Sequence, residues 1–319
     1  ANTFLKKDGK ILLLGGNQGV VRLSGTLDAS GNDIGEKGGT AHVLGQKVAL
    51  DEGSLVDVSG DVGGGEALIG GDYLGGNSMI QNAWRTYIDK DAVINAGALT
   101  IGDGGKVIVW ADDINRFYGN IRSTGGTAGG DGGFIEVSGK NFLEYKGNVD
   151  LTSYYGELGT LLLDPANVNI ENGGVSSVAG VDEFGDSDFS GTSIDANIIN
   201  EEAANVTIRA NNDITVDEAI NLTTSGATLT LHAGRSVLIN QNITTTNGNL
   251  TLIANETTTN GALRRRSTGT AVITLASGTT INIGTGAFNA SMDTGAGKDN
   301  RNSGDITLSN VTAGSLVVN

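Results

Sequence analysis

The chain has 319 residues, of which 51 are glycine, one is proline (Pro165) and none is cysteine. Glycine without a three-residue period and almost without proline excludes collagen, and the absent cysteines exclude a disulfide scaffold and thiolate metal or iron–sulfur sites. With 20 basic against 36 acidic residues the net charge is −16, which disfavours nucleic acid and anionic membrane as partners because both reward clustered Lys and Arg.

Along the first half, two segment types alternate. One is a single or double glycine leading into an alternating strand: GGTAHVLG from Gly38, GGEALIGG from Gly64, GGKVIVWA from Gly104, GGFIEVSG from Gly132 and GTLLLD from Gly159. These starts lie 26, 40, 28 and 27 residues apart, a period near 27 with one insertion, placed at about residues 73–90. The other type keeps step with it: GTLDASG at Gly25, GSLVDVSG at Gly53, DAVINAG at Asp91, GNIRSTGG at Gly119 and GNVDLTS at Gly147.

After Pro165 the period is lost. Residues 166–205 are expected to form an insertion with an acidic loop and then a short helix in SIDANIINEEAAN, with Ser193 as its N-cap and Ile194, Ile198 and Ala203 near one face. A tighter repeat follows through residue 319: ANVTIRA from Ala204, ATLTLHA from Ala227, NLTLIA from Asn249 and TAVITLA from Thr270, spaced 23, 22 and 21. A loop from Glu256 to Gly269 is expected to leave the coil. The organisation read from the sequence is therefore a glycine-rich region 1–165, the insertion 166–205, and a Thr/Asn-rich region 206–319 with coils near 22 residues.

Short strands that return at a fixed interval, without the Asn-Gly or Asp-Gly turns of antiparallel hairpins, suit coils of a three-sided parallel β-helix. Coils stacked ~4.8 Å apart pair their backbones with the coils above and below. Inward residues such as Val107, Val109, Leu229 and Leu231 are expected to form apolar ladders. The fold class is all-β, a parallel solenoid with loop and short-helix insertions.

The block from Gly104 to Ser153, GGKVIVWADDINRFYGNIRSTGGTAGGDGGFIEVSGKNFLEYKGNVDLTS, followed by GTLLLDPANVNI, resembles secreted exoproteins of Gram-negative two-partner secretion, the filamentous haemagglutinin-type adhesins. The likeness extends upstream through RTYIDKDAVINAGA and downstream through NVTIRANNDITVDEAI and LTLHAGRSVLINQNI. The resemblance implies a right-handed β-helix, an outer-membrane secretion pore as export partner, and display on the bacterial surface. There it would act as an adhesin or as the shaft that presents an adhesive or toxic tip. Neither an Asn-Pro-Asn-type secretion motif nor a C-terminal toxin or anchor is found, so the chain reads as a piece of the shaft.

Chemistry-bearing residues carry two readings each. Asp112 and Asp113 follow Trp110 at a strand-to-corner position, but neighbours on a strand point to opposite faces, so they suit a corner better than a carboxylate pair spanning a sugar. His42 and His232 sit singly on alternating strands and are expected on the outer face. Trp84, Arg85 and Tyr87 offer an aromatic and guanidinium surface for a sugar, or else they anchor the inserted loop on the shaft. Arg264, Arg265 and Arg266 would meet a sulfated glycan or another acidic surface, or simply solvate a loop. Asp186, Asp188 and Ser190, before Gly191, match the opening of a calcium loop, but Asn197 stands where an EF-hand places its glutamate.

No cofactor is expected beyond that candidate Ca2+. Asn-x-Ser/Thr triplets at Asn205, Asn221, Asn242, Asn249, Asn255, Asn289 and Asn310 follow from a Thr/Asn-rich composition. The function read from all this is a non-enzymatic shaft segment that meets a host-cell, neighbouring-cell or glycan surface. Its rivals are a filament that self-associates end to end and a polysaccharide lyase or hydrolase.

Overall fold

A computed structural model describes residues 3–7, 9–173, 192–256, 266–293 and 302–319. The chain divides into two compact units, one running to Leu162 and the other taking up the described residues from Leu163 on. Each is a parallel β-helix of three sheets.

In the first unit one sheet stacks Lys10–Leu14, Thr40–Leu44, Glu66–Ile69, Lys106–Ala111, Phe134–Gly139 and Thr160–Leu163, all parallel. Thr3–Lys7 lies antiparallel on its outer edge. The second sheet stacks Val20–Leu23, Lys47–Leu50, Arg85–Ile88, Ile114–Phe117 and Phe142–Tyr145. The third stacks Thr26–Asp28, Leu55–Asp57, Val93–Asn95, Asn120–Arg122 and Asn148–Asp150. Because the pairing is in register, like residues pile on like. Ala41, Ala67, Val107, Ile135 and Leu161 form one buried ladder, and Val56, Ile94, Ile121 and Val149 another. Each enclosed aliphatic side chain contributes about 1.5–3 kcal/mol relative to exposure.

Polar side chains enter this interior only to close corners. Thr86 Oγ1 donates to the Trp110 carbonyl at 2.6 Å, and Asn115 Nδ2 donates to the Val109 and Ser138 carbonyls at 2.9 and 3.1 Å. Ser123 Oγ donates to the Gly105 carbonyl at 2.7 Å, where the third sheet turns back into the first. Below Asn115 the Phe117 and Tyr145 rings stack at 5.4 Å.

The second unit repeats the plan. Its first sheet stacks Asn205–Ala210, Leu229–Ala233, Leu250–Ala254, Ala287–Met292 and Ser315–Val318. The second contains Thr192–Asp195, Val168–Glu171, Ile214–Val216, Val237–Ile239, Ala271–Leu275 and Ser303–Thr307 in that spatial order. The third holds Ile220–Leu222, Ile243–Thr245, Thr280–Asn282 and Asn310–Thr312.

The change of period lies in one corner. Between third and first sheets the first unit spends residues 29–39, 58–65, 96–105, 123–133 and 151–159, whereas the second spends only 223–228, 246–249, 283–286 and 313–314.

Four expectations are corrected by this arrangement. The departure from the coil covers residues 70–84, not 73–90: Arg85–Ile88 is an in-register strand, with Thr86 and Ile88 turned inward. TAVITLA does not continue the series begun by ANVTIRA. Ala271–Leu275 pairs with Val237–Ile239 in the second sheet, and Ala287–Met292 takes the expected place in the first. The helix is Ala196–Glu201, capped by the Asp195 carboxylate, which accepts from the Asn197 N–H at 2.9 Å. Ser193 and Ile194 belong instead to the preceding strand, and the buried helix residues are Ala196 and Ile199. Strand 168–171, inside the expected insertion, is likewise part of the coil.

Glycine pairs at the long corner are a packing requirement. A Cβ on Gly105 would lie 2.1 Å from the Gly65 carbonyl oxygen of the preceding coil, while one on Gly25 would meet nothing within 4 Å. Gly105→Ala is therefore expected to cost about 1–3 kcal/mol, and Gly25→Ala no more than about 0.5 kcal/mol. The midpoint of urea unfolding measures both; equal midpoints for the two variants would contradict the stacking account.

Candidate functional site

The long corner of the first unit carries a ladder of carboxylates. Asp103, Asp131 and Glu157 each stand three residues before a first-sheet strand, at equivalent positions of successive coils. All three are solvent-exposed. Asp103 Oδ1 accepts the Asp131 N–H at 2.8 Å, and Asp131 Oδ1 accepts the Glu157 N–H at 2.8 Å, so the first two acids each fasten the corner of the next coil. These residues line an open groove of about 600 Å³ whose floor is the stacked glycine main chain from Gly64 to Gly159 and whose rim includes Lys106, Phe134 and Thr160.

Phe134 lines the groove, and exposed tyrosines stand next to it or on the corner that supplies Glu157. Tyr73, 45% exposed, meets the Phe134 ring edge-on at 5.8 Å. On the corner that ends in Glu157, Tyr154 and Tyr155 are 79% and 70% exposed, with their rings 4.7 Å apart. Their backbone is held in place: Ser153 Oγ donates to the Gly130 carbonyl at 2.5 Å and accepts the Gly156 N–H at 2.6 Å. Leu99, Ile101 and Ile34 are exposed on the same corner of other coils.

The inserted segment 70–84 covers the outer face of the first sheet beside this groove. Its anchor is Trp110, buried with Leu68 and Ile108 and packed against Ile80 and Phe134. Gly75, at φ +58°, lies so close to the indole that a Cβ would come within 2.5 Å of the ring. Leu74 adopts φ +54°, a left-handed conformation that a bulky residue reaches only under constraint. That constraint is the buried Glu136 carboxylate, which accepts the Leu74 N–H at 3.0 Å. Lys106 Nζ donates to Asp72 Oδ1 at 2.8 Å and lies 3.4 Å from Glu66, itself 3.2 Å from His42 Nε2. Burial works to raise the Asp72 carboxyl, but hydrogen bonds from Lys106, Asn77 and the Tyr73 N–H outweigh it and hold the pKa at about 2.

The residues singled out by sequence lie elsewhere. Trp84 is 47% exposed at the entrance to the second sheet. Arg85 is paired with Asp113 at 3.2 Å, and Tyr87 packs edge-on against Tyr118 and donates to Asp89. The three are not drawn together around the groove, and Trp110, not Trp84, anchors the inserted loop. Asp112 accepts from the Trp110 indole and Asn82, and Asp113 from Arg85 and Asn141, so both acids serve as corner acceptors. Arg266 is buried and donates to the Gly234 carbonyl at 3.1 Å, which removes it from any basic surface patch. Arg264, Arg265, Asp186, Asp188 and Ser190 lie outside the described residues. Among the sequon asparagines, the side chains of Asn205, Asn242 and Asn249 accept backbone N–H groups of the following coil.

The second unit holds a cluster of a different kind. Arg209 and His232, neighbours on the outer face of the first sheet, reach Glu256 at 3.4 and 3.6 Å. Burial raises the nearby Asp164 carboxyl to about 6; Arg209 opposes the shift and Glu256 adds to it.

Two pH-dependent outcomes follow. Because the folded pKa of Asp72 lies below its ordinary 3.8, its contribution is present above about pH 4 and is lost as the pH falls toward 2. Trp110 emission, read in a Trp84→Phe background, should shift over that range and not above it. For Asp164 the sign reverses: the folded state binds the extra proton between pH 3.8 and about 6, so stability falls as pH rises through that window. Asp164→Asn should raise stability at pH 7.5 by about 3 kcal/mol and leave it unchanged near pH 3, as judged by denaturant midpoints. An equal gain at both pH values would refute the burial account.

The chain matches no protein-family model and no curated protein.

Proposed function

We propose that this chain is a structural β-solenoid segment of a secreted, surface-displayed exoprotein that mediates adhesion. The observation that carries the reading is the display of Tyr154 and Tyr155 on the corner whose Glu157 lines the carboxylate groove, a corner whose backbone is fastened coil to coil. Two exposed rings held in place present a large contact area with little entropy left to lose on binding. A net charge of −16 directs such contacts away from nucleic acid and acidic surfaces. Export through an outer-membrane pore rests on the resemblance to two-partner secretion exoproteins, as does the Gram-negative surface as destination.

A second reading has one observation in its favour. Asp103, Asp131 and Glu157 come from successive coils and line one groove, the arrangement a polysaccharide lyase or hydrolase on this fold would use. Two of the three acids bind the next coil's backbone, which suits a structural ladder better.

Beads coated with the purified chain are expected to attach to epithelial or bacterial cell layers above uncoated controls. Tyr154→Ser with Tyr155→Ser should lower attachment several-fold while leaving the far-ultraviolet circular dichroism unchanged. Attachment no greater than to bare beads would overturn the adhesive reading. Release of reducing or unsaturated ends from a polysaccharide panel would favour the enzyme.

A further inference from the structure

The groove floor limits what can lie on it. The N–H groups of Gly64, Gly104 and Gly132 donate to the carbonyls of Asp103, Asp131 and Glu157 on the next coil. Those of Gly65, Gly105 and Gly133 donate to the carbonyls of Val58, Ala96 and Ser123. A peptide strand added along this floor would therefore find its backbone donors already engaged, whereas strand addition needs a free edge. Recognition falls to the side chains, which are carboxylate acceptors on one hand and ring faces on the other.

That combination selects a polyhydroxylated ligand. Ionised carboxylates are acceptors only, and sugar hydroxyls are donors that suit them. Rings of the Tyr73–Phe134 and Tyr154–Tyr155 pairs offer apolar faces to the C–H side of a sugar. Anionic chains are disfavoured by three exposed acids, since Lys106, the cation on the rim, already lies between Asp72 and Glu66. The acids also recur once per coil, so one side-chain set meets the ligand at each step of about 4.8 Å.

We infer that this groove binds a neutral glycan chain laid across successive coils, with Asp103, Asp131 and Glu157 accepting its hydroxyls and the tyrosine rings covering its apolar faces. The inference rests on the adhesive reading and gives its ligand a chemical class.

Isothermal titration of the purified chain with neutral hexasaccharides (cello-, manno- and chito-oligomers), against a heparin hexasaccharide and hexagalacturonate, tests it. Binding of at least one neutral oligomer, with none of the anionic ones, is expected. Tyr154→Ala with Tyr155→Ala should weaken binding about tenfold, about 1.4 kcal/mol, without changing the unfolding midpoint, because both side chains are exposed. Asp131→Asn keeps an oxygen for the Glu157 N–H and should weaken binding several-fold. Trp84→Ala should leave it unchanged.

Failure of every neutral oligomer to bind, preference for an anionic one, or loss of binding in Trp84→Ala alone would overturn the assignment. If beads attach to cells but no neutral glycan binds, the glycan fails and adhesion stands. If a neutral glycan binds but beads do not attach, adhesion fails and the groove assignment stands.

Discussion

Everything in each unit depends on parallel, in-register pairing between one coil and the next. Such pairing is indifferent to most side chains but strict about backbone. Every coil must return to the same path, and each corner must clear the one below it. Where third sheet meets first in the first unit, that clearance leaves no room for a Cβ: at Gly38, Gly64, Gly104 and Gly132 it would lie 1.8–2.2 Å from a carbonyl oxygen. Glycines thus stand where main chain passes main chain. In the second unit the same corner is shorter; Gly248 and Gly286 keep the same close approach, with a Cβ 1.7 and 2.2 Å from a carbonyl oxygen, and the side-chain carbonyls of Asn205 and Asn249 also bind the next coil's N–H.

From Glu66–Ile69 onward the first sheet of the first unit is largely buried on both faces, which a plain solenoid strand is not. Ile108 and Trp110 point outward yet are enclosed, because residues 70–84 fold over them. The covering is fastened by complementary means: an indole among glycines that leave it space, a buried carboxylate beneath Leu74, and the Asp72–Lys106 pair at the edge. Apolar area supplies the adhesion of this segment to the sheet, and polar contacts set its position.

Period and alternation made the coils legible from sequence, since stacked strands must repeat the same inward pattern. What that pattern does not encode is which of three sheets a strand joins. TAVITLA alternates as a first-sheet strand does, but the long connection after Glu256 moves it into the second sheet. For the same reason Thr192–Asp195 passed for the start of a helix, although its alternate burial belongs to a strand. The carboxylate ladder was open to a reading by spacing: Asp103, Asp131 and Glu157 are 28 and 26 residues apart, in step with the coil. Spacing alone does not show that the three acids face one groove, because the corners that carry them differ in length and only the folded path brings the side chains to one side. Trp110 was hidden by its strand, where alternation marks it as outward and nothing in the strand itself announces a cover.

Fold and recognition are separable in this architecture for a geometric reason. Interior ladders and glycine clearances concern atoms that point inward or lie in the main chain. The carboxylates of the long corner point outward while their other role, accepting the next coil's N–H, holds the corner still. A side chain carried there is therefore positioned by the stack without being needed to form it. Tyr154 and Tyr155 illustrate the point: both rings lie largely in water, while Ser153 and Asp131 fasten the backbone on either side of them. Rings that contribute little to folding yet are held at a fixed place retain their apolar surface for a ligand, and the ordering cost of binding is already met by the fold.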